Sequence, residues 1–189
     1  MKKIITMIAL VLCTLAMSAQ TNHMKFKGIP MEGTLQSFTN KLKMKGYTPM
    51  GIRDGVSVLK GEFAGYKDCQ VYAIADNSGM ICKVTVTFPK MDRWSELETC
   101  YNKYKGMLTE KYGSPESCTE EFQSEYVDDD SDRLHELKMD RCKYITNFAC
   151  AEGDICLEMS HVSLTCFVQL SYYDKVNQDK LRKNIMDDL

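Results

Sequence analysis

The chain has 189 residues, 44% of them hydrophobic, with 24 Lys and Arg against 26 Asp and Glu, for a net charge of −2. That is enough apolar material to bury a core without outside help. The slightly acidic balance, with no basic stripe interleaved with aromatics, excludes nucleic acid from the expected partners.

The first element reads as an export signal. Met1-Lys2-Lys3 forms a positive start, Ile4 to Leu15 an apolar run broken only by Thr6 and Thr14, and Ala16-Met17-Ser18-Ala19 a small-residue exit. The run is too short for a bilayer, which takes roughly 20 residues. Cleavage is expected after Ser18 or Ala19, and Cys13, preceded by Leu12, does not suit lipoprotein processing. Residues 1–19 are therefore read as a signal peptide. Residues 20–189 are read as one periplasmic or secreted domain with no stable membrane span. Loss of Lys2 and Lys3 moves the net charge from −2 to −4.

The first helix is expected from Leu35 to Lys45. Thr34 caps it, Gly46 ends it, Leu35, Phe38 and Leu42 form its apolar side, and Lys41, Lys43 and Lys45 its solvated one. A strand from Cys69 to Asp76, a turn at Asn77-Ser78-Gly79 and a strand from Met80 to Phe88 follow. The second helix, Trp94 to Tyr112, places Trp94, Leu97, Tyr101, Tyr104, Leu108 and Tyr112 on one stripe, and Gly113-Ser114-Pro115 stops it. That stripe is expected to pack on a sheet rather than to stack a ligand. A charged strand from Cys118 to Tyr126, carrying Glu120, Glu121 and Glu125, suits a sheet edge. Asp128 to Asp132 reads as an exposed loop. Strands are expected at Tyr144–Cys150, Ile155–Ser160 and Leu164–Tyr172, and an amphipathic segment at Lys180–Leu189.

Met80–Phe88 and Leu164–Tyr172 share an alternation, apolar on even positions, with a cysteine at the same step (Cys82, Cys166). Each follows another strand, and each set follows a helix that ends in glycine. The expected fold is therefore α+β: two weakly repeated halves, about 25–90 and 91–189. Each half is a helix followed by an antiparallel meander, packed as a two-layer helix-on-sheet domain.

Nine cysteines less Cys13 leave eight: Cys69, Cys82, Cys100, Cys118, Cys142, Cys150, Cys156 and Cys166. An even number in an oxidising compartment predicts at least one disulfide, with the pairing open. One pair can be tested by register. A Cys150–Cys156 bridge would set Phe148 against Glu158, apolar against polar. A two-residue turn that sets Cys150 against Ile155 or Leu157 gives both strands one apolar face, so the bridge is rejected. The same parity puts Cys69, Cys82, Cys150 and Cys166 inward and Cys156 outward. Cys100 borders the stripe of its helix.

The usual catalytic and metal patterns fail. His135-Glu136 begins a zinc-protease helix, but Met139 stands where the second histidine belongs. Cys150, Cys156, His161 and Cys166 match no compact zinc spacing. Asp128, Asp130 and Asp132 begin a calcium loop in which Arg133 and Met139 replace the required glycine and glutamate. There is no G-x-S-x-G elbow and no P-loop. The sequence thus names no catalytic residue, no metal ligand and no cofactor.

Three stretches carry a resemblance: Lys25-Phe26-Lys27-Gly28-Ile29-Pro30-Met31-Glu32-Gly33-Thr34, Lys45-Gly46-Tyr47 and Lys111-Tyr112-Gly113-Ser114-Pro115. They are similar to small exported proteins of Gram-negative bacteria that have no assigned activity. The resemblance implies an α+β fold and a periplasmic or surface location, and it carries over no site residue. The tandem helix-plus-sheet plan also resembles secreted proteins of the β-lactamase-inhibitor type, which implies an exposed sheet face.

The expected function is a non-enzymatic module that binds a macromolecule in the envelope or outside the cell. The outer face of the sheet would serve, because parity places Tyr72, Ile81, Phe167 and Tyr173 there. The alternative is a hydrolase acting on envelope or extracellular substrate, with His135 or His161 in a deep pocket.

Overall fold

A computed structural model describes residues 22–124 and 126–187. The expected signal peptide, residues 1–19, lies outside them. The described chain runs β1 (Lys25–Phe26), β2 (Ile29–Pro30), α1 (Leu35–Met44), β3 (Thr48–Arg53), β4 (Val56–Phe63), β5 (Tyr66–Ala75), β6 (Ile81–Thr87), α2 (Trp94–Tyr112), β7 (Ser117–Phe122), α3 (Asp130–Lys138), β8 (Cys142–Cys150), β9 (Gly153–Val162), β10 (Thr165–Asp174) and α4 (Lys175–Asp187).

Strands β3 to β10 form one eight-stranded antiparallel sheet in the order β3-β4-β5-β6-β10-β9-β8-β7. Two four-stranded meanders therefore meet at a single seam, β6 against β10, registered from Gln169↔Thr87 to Tyr173↔Lys83. The edges are guarded. β3 carries Pro49 and a register shift between Pro49 and Gly51, and β7 carries Glu120 and Glu121. The β3–β4 hairpin is signalled by Asp54-Gly55, whose φ angles of 49° and 74° suit the two-residue turn that matches strand twist.

The core lies on one face of the sheet. Leu59, Val71, Val86, Leu170 and Leu157 follow one another across the strands, and α1, α2 and α3 bury Phe38, Leu42, Trp94, Leu97, Tyr101 and Leu137 against that face. The stripe of α2 is packing, as expected. The Trp94 ring meets Tyr144 at 5.0 Å between centroids, and Phe88 stacks on Tyr104 at 4.7 Å. Each buried hydroxyl of the stripe finds a partner: Tyr101 Oη lies 2.5 Å from Thr146 Oγ1, and Tyr104 Oη donates to Ala64 O at 2.8 Å.

Several expectations are corrected. Asp128–Asp132 is not simply a loop. Asp129 caps α3 by accepting from Ser131 N and Asp132 N at 2.8 and 2.9 Å, so Asp130 and Asp132 sit in its first turn, where acids belong. The turn after β8 is Ala151-Glu152, which sets Cys150 against Gly153 and Phe148 against Ile155. The two strands share an apolar face as argued, but the pairing lies two residues from the expected one. Cys156 then faces Asn147, far in register from Cys150.

The expected disulfide is absent: all eight cysteines of the described residues are free thiols. Among the strand cysteines, none has another as its cross-strand partner. Cys69 faces Gly61, Cys118 faces Thr146, Cys142 faces Phe122 and Cys166 faces His161. Cys69, Cys100 and Cys166 are buried as small apolar side chains.

Outside the core, Glu136 fastens the end of α3 to the chain entering β8. Arg141 grips its carboxylate through Nη2 at 2.7 Å and Nε at 3.1 Å, and Ser124 Oγ donates to it as well. The Arg141 and Ser124 hydrogen bonds pull the Glu136 carboxyl down from 4.5 to about 2. A depressed folded-state pKa gives stability that is present above the ordinary value of 4.5 and lost as pH falls toward 2. We expect the melting temperature of the wild type to drop through that window more steeply than that of Glu136→Gln, measured by circular dichroism. Parallel curves would show that the pair contributes nothing.

Candidate binding surface

Strand alternation sends a second set of side chains to the face away from α1, α2 and α3. One row reads Val58, Tyr72, Thr85, Ser171, Cys156, Asn147 and the next Lys60, Gln70, Thr87, Gln169, Glu158, Ile145. At the seam both strands place short hydroxyl side chains, Thr85 and Ser171, with their oxygens 2.9 Å apart. In the next row the longer Gln70 and Gln169 stand on either side of Thr87, so the face is lower there than at its flanks.

The result is a trough of about 800 Å³. Thr85, Thr87 and Gln169 form its floor, Tyr72, Gln70, Ile74 and Val56 one wall, and Phe167, Val162, Pro89 and Lys90 the other end. This is the size of an ordinary ligand site, which runs roughly 300–1,000 Å³. α4 packs against β6, β9 and β10 at the opposite end of those strands and contributes nothing to the lining.

The polar groups of the trough are ordered by one another. Tyr72 Oη donates to Gln70 Oε1 at 2.5 Å, and Gln169 Nε2 donates to Glu158. Its rim charges are paired: Asp68 with Lys60 at 2.9 Å, and Lys90 with Asp92 at 3.1 Å. Beyond the trough, the Lys83 ammonium sits 4.7 Å from the centroid of Tyr173. The Cys156 thiol is pushed up to about 11 by burial and then by the charge of Glu158, which disfavours the thiolate.

Of the four residues assigned to this face from parity, Tyr72, Phe167 and Tyr173 lie on it. Tyr72 and Tyr173 are half-buried, and Phe167 is 8% exposed, tucked into the trough wall. Ile81 does not lie on it. A β-bulge pairs Ala75 with Ile81 and Ile74 with Lys83, which turns Ile81 into the core at 0% exposure. The same bulge takes Cys82 out of the inward row, leaving it half-buried with Sγ donating to Ile74 O at 3.5 Å. Simple alternation cannot register an inserted residue. Sequence reasoning also missed Val56, Gln70, Thr87 and Gln169. Asp54-Gly55 was the signal for the first, and parity alone places the other three.

The remaining chemical candidates do not converge. His161 is held at both ring nitrogens, by Asp140 Oδ1 at 3.1 Å and Ser163 O at 3.0 Å, and these partners raise its pKa. It stands opposite Cys166, yet no ring nitrogen is left for that sulfur, and burial raises the thiol. His135 lines a polar depression of about 420 Å³ with Asp92, Arg93, Asp130 and Lys138, where Asp130 accepts from Ser95 N at 3.2 Å. Burial likewise pushes Cys69 and Cys100 up to about 11 and Cys142 to about 12. Among the described residues, no three His, Cys, Asp or Glu side chains gather as a metal site, and no helix is long and apolar enough to cross a membrane.

Compared with known proteins, the chain matches no family model, no curated protein and no solved structure.

Proposed function

We propose that this protein is a non-enzymatic exported module that binds a macromolecule of the envelope or the extracellular space through the face of its sheet away from α1, α2 and α3. The observation that carries this reading is the trough, a formed concavity over β5, β6 and β10 with ordered polar groups and no helix lining it. Largely pre-formed concave sites with a few oriented polar groups are where ligands bind. The amino-terminal Lys-Lys, apolar run and small-residue exit support export. A helix followed by four strands on each side of the β6–β10 seam, with α3 inserted after β7 in the second half, supports two related halves.

The experiment is a blocked trough. Thr87 is half-buried on the floor, and Thr87→Arg fills the space with a side chain long enough to reach solvent. The purified mature protein should bind isolated envelope material, and Thr87→Arg should lose that binding while keeping its melting temperature. Equal binding by both proteins overturns the reading. A hydrolase working from the depression around His135 would instead degrade envelope polymers with or without Thr87→Arg.

A further inference from the structure

We infer that the trough takes a neutral, hydroxyl-rich chain, that is, a segment of uncharged polysaccharide. This rests on the binding-face reading above and names its ligand class.

Charge comes first. The two rim charges, Asp68 and Lys90, are already ion-paired to Lys60 and Asp92 outside the trough, and the floor holds only Thr85, Thr87 and Gln169. Each rim charge stands beside one of opposite sign, so the rim offers no net attraction to a ligand of either sign, and a charged ligand would have to compete with an existing pair. Bringing either in would cost desolvation with no compensating pair. A neutral ligand meets no such penalty.

Hydrogen bonding comes second. The polar lining consists of hydroxyls and amides, groups that both donate and accept. Tyr72 and Gln70 are satisfied as a pair at the trough surface, while the Thr85–Ser171 pair is buried beneath it. A ligand hydroxyl also donates and accepts, so it can enter such a pair from either side and leave neither member unmatched. An extended peptide lacks this freedom. β5, β6 and β10 each have a hydrogen-bonded strand on both sides, so this face offers a peptide no strand edge to extend.

Shape comes third. Half-buried Tyr72 lines the trough together with Gln70, Thr87 and Gln169, giving an aromatic ring next to polar side chains. A pyranose ring presents the matching pair of surfaces, with C–H groups on its flat faces and hydroxyls around its rim. An amphipathic aromatic ring is suited to that combination.

The test titrates the folded mature protein, by calorimetry and by nitrogen–proton NMR, with soluble linear oligosaccharides of glucose, mannose, xylose and N-acetylglucosamine. At least one series should bind at micromolar to millimolar concentration. Its affinity should hold when salt is raised to ~1 M, where charges are screened beyond about 3 Å. Tyr72→Ala should weaken it about five- to tenfold. Gln169→Ala, on the floor, should weaken it too, so that the result does not hang on one variant. Absence of binding by every series, loss of binding in high salt, or an unchanged affinity in both variants each overturns the inference. If Thr87→Arg still abolishes capture of envelope material while no oligosaccharide binds, the ligand class is wrong and the binding face stands. If Thr87→Arg leaves capture unchanged, both fall.

Discussion

Asp174→Ala is expected to cost about 3–5 kcal/mol of folding stability, measured by urea denaturation. The carboxylate is fully buried and gathers three groups from distant parts of the chain. Met24 N donates to Oδ1 at 2.7 Å, Asn177 N donates to Oδ2 at 3.0 Å, and His23 Nδ1 lies 3.0 Å from Oδ2. Removing it leaves buried donors without an acceptor, the most expensive way to lose a hydrogen bond. It also removes the cap of α4, whose Asn177 holds Met31 O and Ile81 O at 3.0 and 2.8 Å. Asp174→Asn should cost clearly less, because asparagine is a good cap and keeps one acceptor. A loss under about 1 kcal/mol for the alanine variant, inside the range of ordinary surface changes, would sink this account.

Gly153→Ala should be worse than its single added methyl group suggests. A Cβ at that position would stand 1.9 Å from Tyr173 O, 3.0 Å from Tyr173 C and 3.1 Å from Lys175 N. All three are backbone atoms where β10 passes into α4, and the residue's φ is +154°. Neither neighbour can rotate away, so the strand pair must separate, at about 3 kcal/mol or more. Gly106→Ala provides the contrast within the same molecule. It lies in α2 with nothing within 4 Å of its added Cβ, and it should gain up to about 1 kcal/mol from helix propensity. Similar melting temperatures for the two variants would refute the steric argument.

What the sequence could show depended on whether a residue's role was local. α2 was visible because its stripe repeats at helical spacing, and the helix stops at Gly113 as expected. The alternation of β10 and most of β6 gave the inward rows correctly, and the charges of β7 marked it as an edge. β3 was missed because it buries none of its six residues, and a strand exposed on both faces has no hydrophobic period to read; β4 was missed because polar Ser57 and Gly61 interrupt its inward row. α3 was missed because acids that cap a helix look like acids in a loop until the turn behind them is seen. The binding surface was half legible. Parity gave Tyr72, Phe167 and Tyr173, but the trough spans the β6–β10 seam, where Thr87 and Gln169 become neighbours though far apart in the chain. The Ile81 error and the absent disulfide have one origin. Register decides which residues meet, and a single bulge or a two-residue shift changes it while leaving composition untouched.

The burial of the thiols has a consequence for the order of events during maturation. Cys69 and Cys100 are at 0% exposure in the folded protein, out of reach of any oxidant in solution. In an oxidising compartment the unfolded chain has no such shelter, so collapse of the sheet onto α2 competes with cross-linking. Molecules that close first shelter those two sulfurs, whereas Cys118 stays exposed after folding. The fold thus sorts its thiols by their susceptibility to oxidation, with Cys118 the first expected to react.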